Sequence, residues 1–285
     1  MSLTALGLVV AAALLHAVWN LVTKQVNGGL AFFWLISVAA AVLYLPLVGY
    51  QLAHEAARYD GEVLWYSFVS ALLHILYFVA LQLGYRKADL SIVYPVARGA
   101  GPLMSVTGAI LVFHERPGLL ALAGVLLIVA GVVVMTGFRI GRGSGVAKGV
   151  YYGALTGAFI AAYTLWDKSA VVDHHVSAVF ITFASMVLPL VVLLPYALRR
   201  RAEVSREVVT HWKQVLLVAL FQPLSYLLVL IALKTTPITY VAPIRELSIV
   251  FGVFFGARLL KEHDSSKRMA GACVILGGIV LLALG

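Results

Sequence analysis

The chain reads as a series of apolar runs of about twenty residues, divided by short polar stretches. A helix rises about 1.5 Å per residue, so about 20 apolar residues cross a hydrocarbon layer of about 30 Å. Ten runs meet that length: residues 3–23, 30–50, 63–84, 91–113, 118–138, 147–166, 177–198, 214–233, 238–259 and 268–284. They predict an all-α integral membrane protein with ten transmembrane helices. Polar residues inside the runs fall at helical spacing and therefore share faces. The first run carries His16, Trp19, Asn20 and Thr23 on one side. The third carries Ser67, Ser70, His74 and Tyr77, and the sixth carries Thr156, Tyr163, Thr164 and Asp167.

Two runs carry features that oppose a simple membrane helix. Residues 91–116, SIVYPVARGAGPLMSVTGAILVFHER, hold Pro95, Arg98 and Pro102. Each proline removes a backbone donor and is expected to kink or break the helix. A guanidinium at membrane depth costs from a few to more than about ten kcal/mol, so Arg98 needs a partner or a wet cavity. Residues 236–262 repeat the pattern. A shift of 148 places Pro95 on Pro243, Ala97 on Arg245, Arg98 on Glu246, His74 on Gln222 and Tyr77 on Ser225. A shift of 147 places Glu115 on Glu262, Ala123-Gly124 on Ala270-Gly271 and Gly131 on Gly278. A shift of 144 places Asn20 on Thr164 and Lys24 on Lys168. The chain is thus expected to be a duplication, residues 1–140 and 141–285, each with five spans. An odd number of spans turns the second copy upside down, which gives two inverted five-helix repeats with a site expected near the midplane between them. The segment between them, FRIGRGSGVAKG, reads as a flexible cytoplasmic linker.

Composition removes the soluble alternative. Of 285 residues, 62% are apolar and only 12% charged, more apolar surface than a water-soluble domain of this size can bury. The net charge of +9 needs no nucleic acid to explain it, because the basic residues sit in the short connections. Loops after the odd-numbered runs hold fifteen Lys or Arg, whereas the opposite loops hold four: Arg58, Arg116, Lys168 and Lys234. That bias predicts the first set in the cytoplasm and both termini on the outer face. The first run lacks a basic leader and continues for a full span, so it reads as a helix rather than a cleavable signal. Cys273 is the single cysteine, so no intrachain disulfide forms.

Catalytic and cofactor chemistry find no support. The glycine-rich linker lacks the GxxxxGK[ST] pattern of a phosphate loop. His54-Glu55 lacks the second histidine of a zinc helix, and Asp173-His174-His175 has no supporting ligands at metal spacing. No nucleophile and base can be placed together. The chain is read as a non-enzyme without metal or cofactor, whose partners are a small molecule and the lipid bilayer.

Two five-helix repeats, an acidic turn before the last helix of each (HERP at residues 114–117, KEHD at 261–264) and an AG…G pattern in those helices resemble the drug/metabolite transporter superfamily, specifically its bacterial EamA-type exporters. The resemblance covers the whole chain. The first turn, Glu115-Arg116-Pro117, fits the pattern, whereas Glu262-His263-Asp264 departs from it by lacking the Arg. It implies export of amino acids or related metabolites across the inner membrane by alternating access, through a central cavity lined from both halves.

The residues themselves supply a chemistry for such a solute. Arg98 or Arg245 can meet a carboxylate and Glu246 an ammonium, while His74 and Gln222, matched across the repeats, line the cavity. Tyr77, Tyr94, Tyr163, Trp166 and Tyr226 offer an aromatic wall for an apolar side chain or a cation. Three alternatives stand beside this. The charges neutralise one another and the aromatics merely pack; Arg98 and Glu246 bridge the repeat interface, with Arg245 as the rival partner; or the scaffold is a proton-coupled multidrug extruder of cationic or aromatic compounds in which Glu246 exchanges protons.

Overall fold

The computed structural model of the chain describes residues 1–26, 28–55, 60–136, 144–259 and 265–285. Among the described residues every regular element is a helix: α1 Leu3–Val26, α2 Leu30–Glu55, α3 Gly61–Lys87, α4 Leu90–Val112, α5 Leu119–Thr136, α6 Ser144–Val172, α7 Ala178–Arg199, α8 Arg201–Leu233, α9 Ile238–Ile244, α10 Leu247–Leu259 and α11 Ser265–Leu284. Helices α9 and α10 together cover the ninth expected run, so each of the ten expected runs is helical over its described residues. Seven helical stretches are long and apolar enough to cross a membrane, α9 with the start of α10 being one, and α5 and α11 carry shorter apolar stretches. Large apolar side chains such as Leu111, Leu119 and Val280 are exposed, as hydrocarbon contact requires and water would not favour.

The packing follows the duplication. Helix α1 packs on α8 as α6 packs on α3, and α2 packs on α8 as α7 packs on α3. Glycines set the closest approaches. A Cβ on Gly124 would sit 2.6 Å from the Gly278 carbonyl, and one on Gly131 would sit 2.9 Å from the Gly271 carbonyl. The AG…G motif therefore lets α5 and α11 cross almost backbone to backbone, the first glycine of each copy against the second of the other. The Gly149, Gly153 and Gly157 stripe of α6 works likewise against Ile92, Val96 and Ala100 of α4.

The structure departs from the sequence reading in four places. Helix α4 runs through Pro95 and Pro102 without interruption, whereas its counterpart breaks after Pro243. The difference lies in the residues that follow. At the break Glu246 N–H bonds the Pro243 carbonyl and Ser248 N–H the Arg245 carbonyl, both one residue tighter than an α-turn, so that two adjacent charged side chains diverge. In α4 the matching residues are Ala97 and Arg98, a single charge, and α6 presses its glycines against that turn. Second, the linker is not wholly irregular, because its residues from Ser144 onward already belong to α6. Third, residues 201–213, read as a loop, are helical, with the backbone leaving helical geometry only at His211 (φ −127°, ψ 21°). Fourth, α6 continues past Trp166 to Val172, so Lys168, counted with the loops, is a helical residue. The second acidic turn, Glu262-His263-Asp264, lies outside the described residues, as do Arg58, Arg139, Arg142 and Lys261.

Candidate functional site

A cavity of about 130 Å³ opens where α1, α3, α6, α8 and the α9–α10 break converge. The polar faces anticipated on α1 and α3 supply His16, Trp19, His74 and Tyr77. Helices α6 and α8 supply Tyr163, Gln222, Ser225 and Tyr226. Arg98, Arg245 and Glu246 supply the charge. The break places the last two: with helical bonding tightened there, Arg245 and Glu246 direct their side chains to different partners. Arg98 Nη1 lies 3.6 Å from Glu246 Oε1, so the bridge across the two copies is formed. Glu246 is buried and its second oxygen, Oε2, has no hydrogen-bond partner among the described residues. Arg245 has no carboxylate within ion-pair distance among the described residues. It donates to the Tyr163 hydroxyl at 3.5 Å and lies 5.9 Å from the centre of the Tyr226 ring.

The aromatic residues form one cluster beside these charges. His74 stacks on Tyr163 with ring centres 4.1 Å apart and meets the Tyr226 ring edge-on at 5.0 Å. Tyr77 and Tyr226 each lie 6.0 Å from Tyr163, in edge geometry. The His74 ring is oriented by its Nδ1, which is 2.8 Å from the Ser70 carbonyl one turn back. The cluster thus presents ring edges, hydroxyls and one imidazole to a solute, next to two guanidiniums and one carboxylate.

Of the ten sequence candidates, His74, Tyr77, Arg98, Tyr163, Gln222, Tyr226, Arg245 and Glu246 line this cavity. Tyr94 and Trp166 do not. Tyr94 accepts a hydrogen bond from Arg98 Nε at 3.5 Å and carries the guanidinium over its ring, so it holds Arg98 from behind. The Trp166 indole N–H donates to the Tyr66 carbonyl at 3.0 Å, and its ring stacks on Tyr66. One turn of α6 separates it from Tyr163, and the neighbouring α3 captures it. Two members of the α1 face turn back on their own helix: Asn20 donates to the His16 carbonyl and Thr23 to the Trp19 carbonyl. Ser185 and Met186 of α7 also line the cavity. Nothing in that apolar run marks them beyond the single hydroxyl.

At one end of the assembly the first acidic turn reaches across the chain. Glu115 accepts from Lys168 Nζ at 2.9 Å, from the Ile238 and Thr239 amides at 2.8 and 3.0 Å, and from the Thr239 hydroxyl at 2.5 Å. It thereby caps α9, whose own preceding residue is Pro237 and offers no capping side chain. Burial pushes the Glu115 carboxyl up, but the donors from Thr239, Lys168 and Ile238 outweigh it and leave the group below its ordinary value. Three separate parts of the chain, the turn before α5, the end of α6 and the start of α9, are locked together by one carboxylate.

The comparisons with known proteins agree with this geometry. Residues 147–284 match the model of the EamA-like transporter family. A protein of Archaeoglobus fulgidus described as an uncharacterized transporter is 27% identical over 208 residues, covering 73% of this chain and 70% of the relative. A solved structure titled only as the crystal structure of a protein superposes over 100% of this chain and 98% of its own, with a TM-score of 0.76 at 16% identity, which speaks to the fold alone. Over residues 147–284 the chain is similar to EamA-like transporters, and with the described transporter relative and the apolar helices it is read as a multi-pass membrane transporter of small molecules rather than an enzyme.

Proposed function

We propose that the protein exports amino acids or closely related zwitterionic metabolites across the bacterial inner membrane, with both termini on the outer face and residues 1–140 and 141–285 acting as inverted units that alternate access to one cavity. The observation that carries the reading is the charge arrangement. Arg245 is a cation without a carboxylate partner among the described residues, and it lines the same cavity as Glu246, whose Oε2 has no hydrogen-bond partner among them. A solute carboxylate would take the first and its ammonium the second, while the His74, Tyr163 and Tyr226 cluster receives the side chain. The cavity is smaller than the roughly 300–1,000 Å³ of drug-sized pockets, which favours a small solute.

The rival reading is a proton-coupled extruder of cationic or aromatic compounds, and the aromatic cluster speaks for it. The charges speak against it: Arg98 and Arg245 outweigh Glu246, so a cationic drug would enter a cavity of net positive charge. Counterflow into proteoliposomes separates the two. Vesicles preloaded with unlabelled amino acid should accumulate the same radiolabelled amino acid for some members of a panel, and cationic dyes should neither exchange nor compete. Exchange of cationic dyes with no amino acid active would replace the proposal with its rival.

A further inference from the structure

Three carboxyl side chains with described partners across the helix assembly are largely buried, and two of them are committed to cations. Glu246 is held by Arg98 and Glu115 by Lys168. Asp167 is the third. It is fully buried in α6, one turn beyond Tyr163, and is not itself part of the cavity wall. No Lys or Arg among the described residues lies within ion-pair distance of it. Its Oδ2 accepts a short hydrogen bond from the Tyr226 hydroxyl, and the Tyr226 ring is part of the wall. Its Oδ1 has no donor within full hydrogen-bond geometry, and the Ser70 hydroxyl of α3 faces the carboxyl as its nearest remaining donor. The other ionisable groups on this side are Arg245 at the α9–α10 break, which lies against the same Tyr226 ring, and Tyr163 and His74, which pack on that ring. Every neighbour in direct reach of the carboxyl is therefore neutral. A buried carboxylate with only neutral partners is costly to leave charged, and a protonated one removes that cost while keeping Oδ1 as an acceptor for the facing Ser70 hydroxyl.

We propose that Asp167 is the proton-binding site of the transport cycle. The ligand is a proton, exchanged against the exported solute, and Tyr226 relays it between cavity and carboxyl. The step balances without a charged tyrosine: the Tyr226 hydroxyl passes its proton to Asp167 Oδ2 while its oxygen takes a proton from hydronium in the cavity, which leaves as water, so one proton moves from cavity to carboxyl. The protonated carboxyl is neutral, with its O–H toward Tyr226 and Oδ1 left to accept from the Ser70 hydroxyl. In the reverse direction Asp167 returns the proton through Tyr226 as Arg245 receives a solute carboxylate. The Tyr226 ring, shared by Asp167 and Arg245, is where the two events meet. Glu246 loses this role because its charge is already balanced.

The inference rests on the export reading, and the experiment separates the two. Proteoliposomes carrying the trapped pH dye pyranine would be loaded with the panel amino acid that exchanges fastest, and both solute counterflow and net proton movement would be followed. Wild-type protein should move protons opposite to net solute flux. D167N should lose that proton movement and the response to an imposed pH gradient, yet keep solute-for-solute exchange, which needs no net proton transfer. D167E should restore coupling, and Y226F, which keeps the carboxyl but breaks the relay, should slow proton movement while preserving the proton-to-solute ratio. Equal thermal midpoints of D167N and wild type in detergent would show that the variant is folded. Proton movement in D167N at the wild-type ratio overturns the proposal, and so does net solute efflux by wild type with no proton movement at all. Absence of amino-acid exchange in the wild type would instead fall on the export reading.

Discussion

Breaking the Arg98–Glu246 bridge from one side should be far more damaging than removing it from both. The guanidinium and carboxylate are 3.6 Å apart, with side chains 22% and 8% exposed. At an effective dielectric of about 20 their attraction is about 5 kcal/mol, most of which offsets the cost of taking both charges out of water. Removing one partner strands the other and should cost about 3–5 kcal/mol, whereas replacing both by neutral side chains of similar volume should cost little. The two single variants should also differ. Arg98→Met leaves Glu246 beside Arg245, a second cation able to turn toward it, so the loss falls at the low end. Glu246→Gln leaves two guanidiniums facing one cavity with no anion, so the loss falls at the high end. Unfolding free energies from SDS titration in mixed micelles, measured for wild type, both single variants and R98M/E246Q, give the coupling directly. A coupling below about 1 kcal/mol, or an R98M variant less stable than E246Q, would refute the argument.

Four further outcomes follow from the geometry. Gly124→Ala and Gly157→Ala push a methyl into the backbone of α11 and α4 respectively and should each cost about 1–3 kcal/mol in the same titration, whereas Gly252→Ala, with open space around it, should be neutral or slightly stabilising. Glu115→Gln should lose about 3 kcal/mol by stranding Lys168 and weakening the α9 cap. Because the folded-state value of Glu115 is depressed, its stabilisation is present above the unfolded value of about 4.3 and disappears as pH falls through the lower folded value, so the acid limb of the stability curve should flatten in E115Q. In a Cys273→Ala background, Gly61→Cys should react with an impermeant maleimide from outside the cell and Ser144→Cys only after permeabilisation; the reverse pattern would place both termini in the cytoplasm. Ala at His74, Tyr163 or Tyr226 should lower exchange while leaving folded yield intact, and unchanged exchange in all three would reduce the cluster to packing.

The spans and most of the cavity wall were legible because a membrane helix writes its environment into a 3.6-residue period. His16, His74 and Tyr77 lie at positions where only an interior face tolerates them. The Arg98–Glu246 bridge was legible because a duplicated chain puts matched residues on one axis, and two buried opposite charges at matched positions have little else to meet. What failed was the equivalence of the two copies in detail. The V-x-P step is the same in both, yet α4 stays whole and the ninth span breaks, because a glycine stripe from α6 packs one and adjacent charges pull the other apart. Trp166 was assigned to the cavity from residue type, but its indole N–H needs an acceptor and finds the Tyr66 carbonyl. The reach of Glu115 to Ile238 and Thr239 spans more than a hundred residues, and no local pattern encodes it.

The most direct test of the account is amino-acid counterflow by wild type and Arg245→Gln, each challenged with an amino acid and with its amide, which keeps the ammonium and side chain but lacks the carboxylate. Wild type should show saturable exchange of the amino acid and poor competition by the amide. R245Q should raise the half-saturation concentration about tenfold to a hundredfold, as loss of a charge-assisted hydrogen bond of about 1.5–3 kcal/mol requires. Equal competition by amide and amino acid, or wild-type half-saturation in R245Q, would contradict the account.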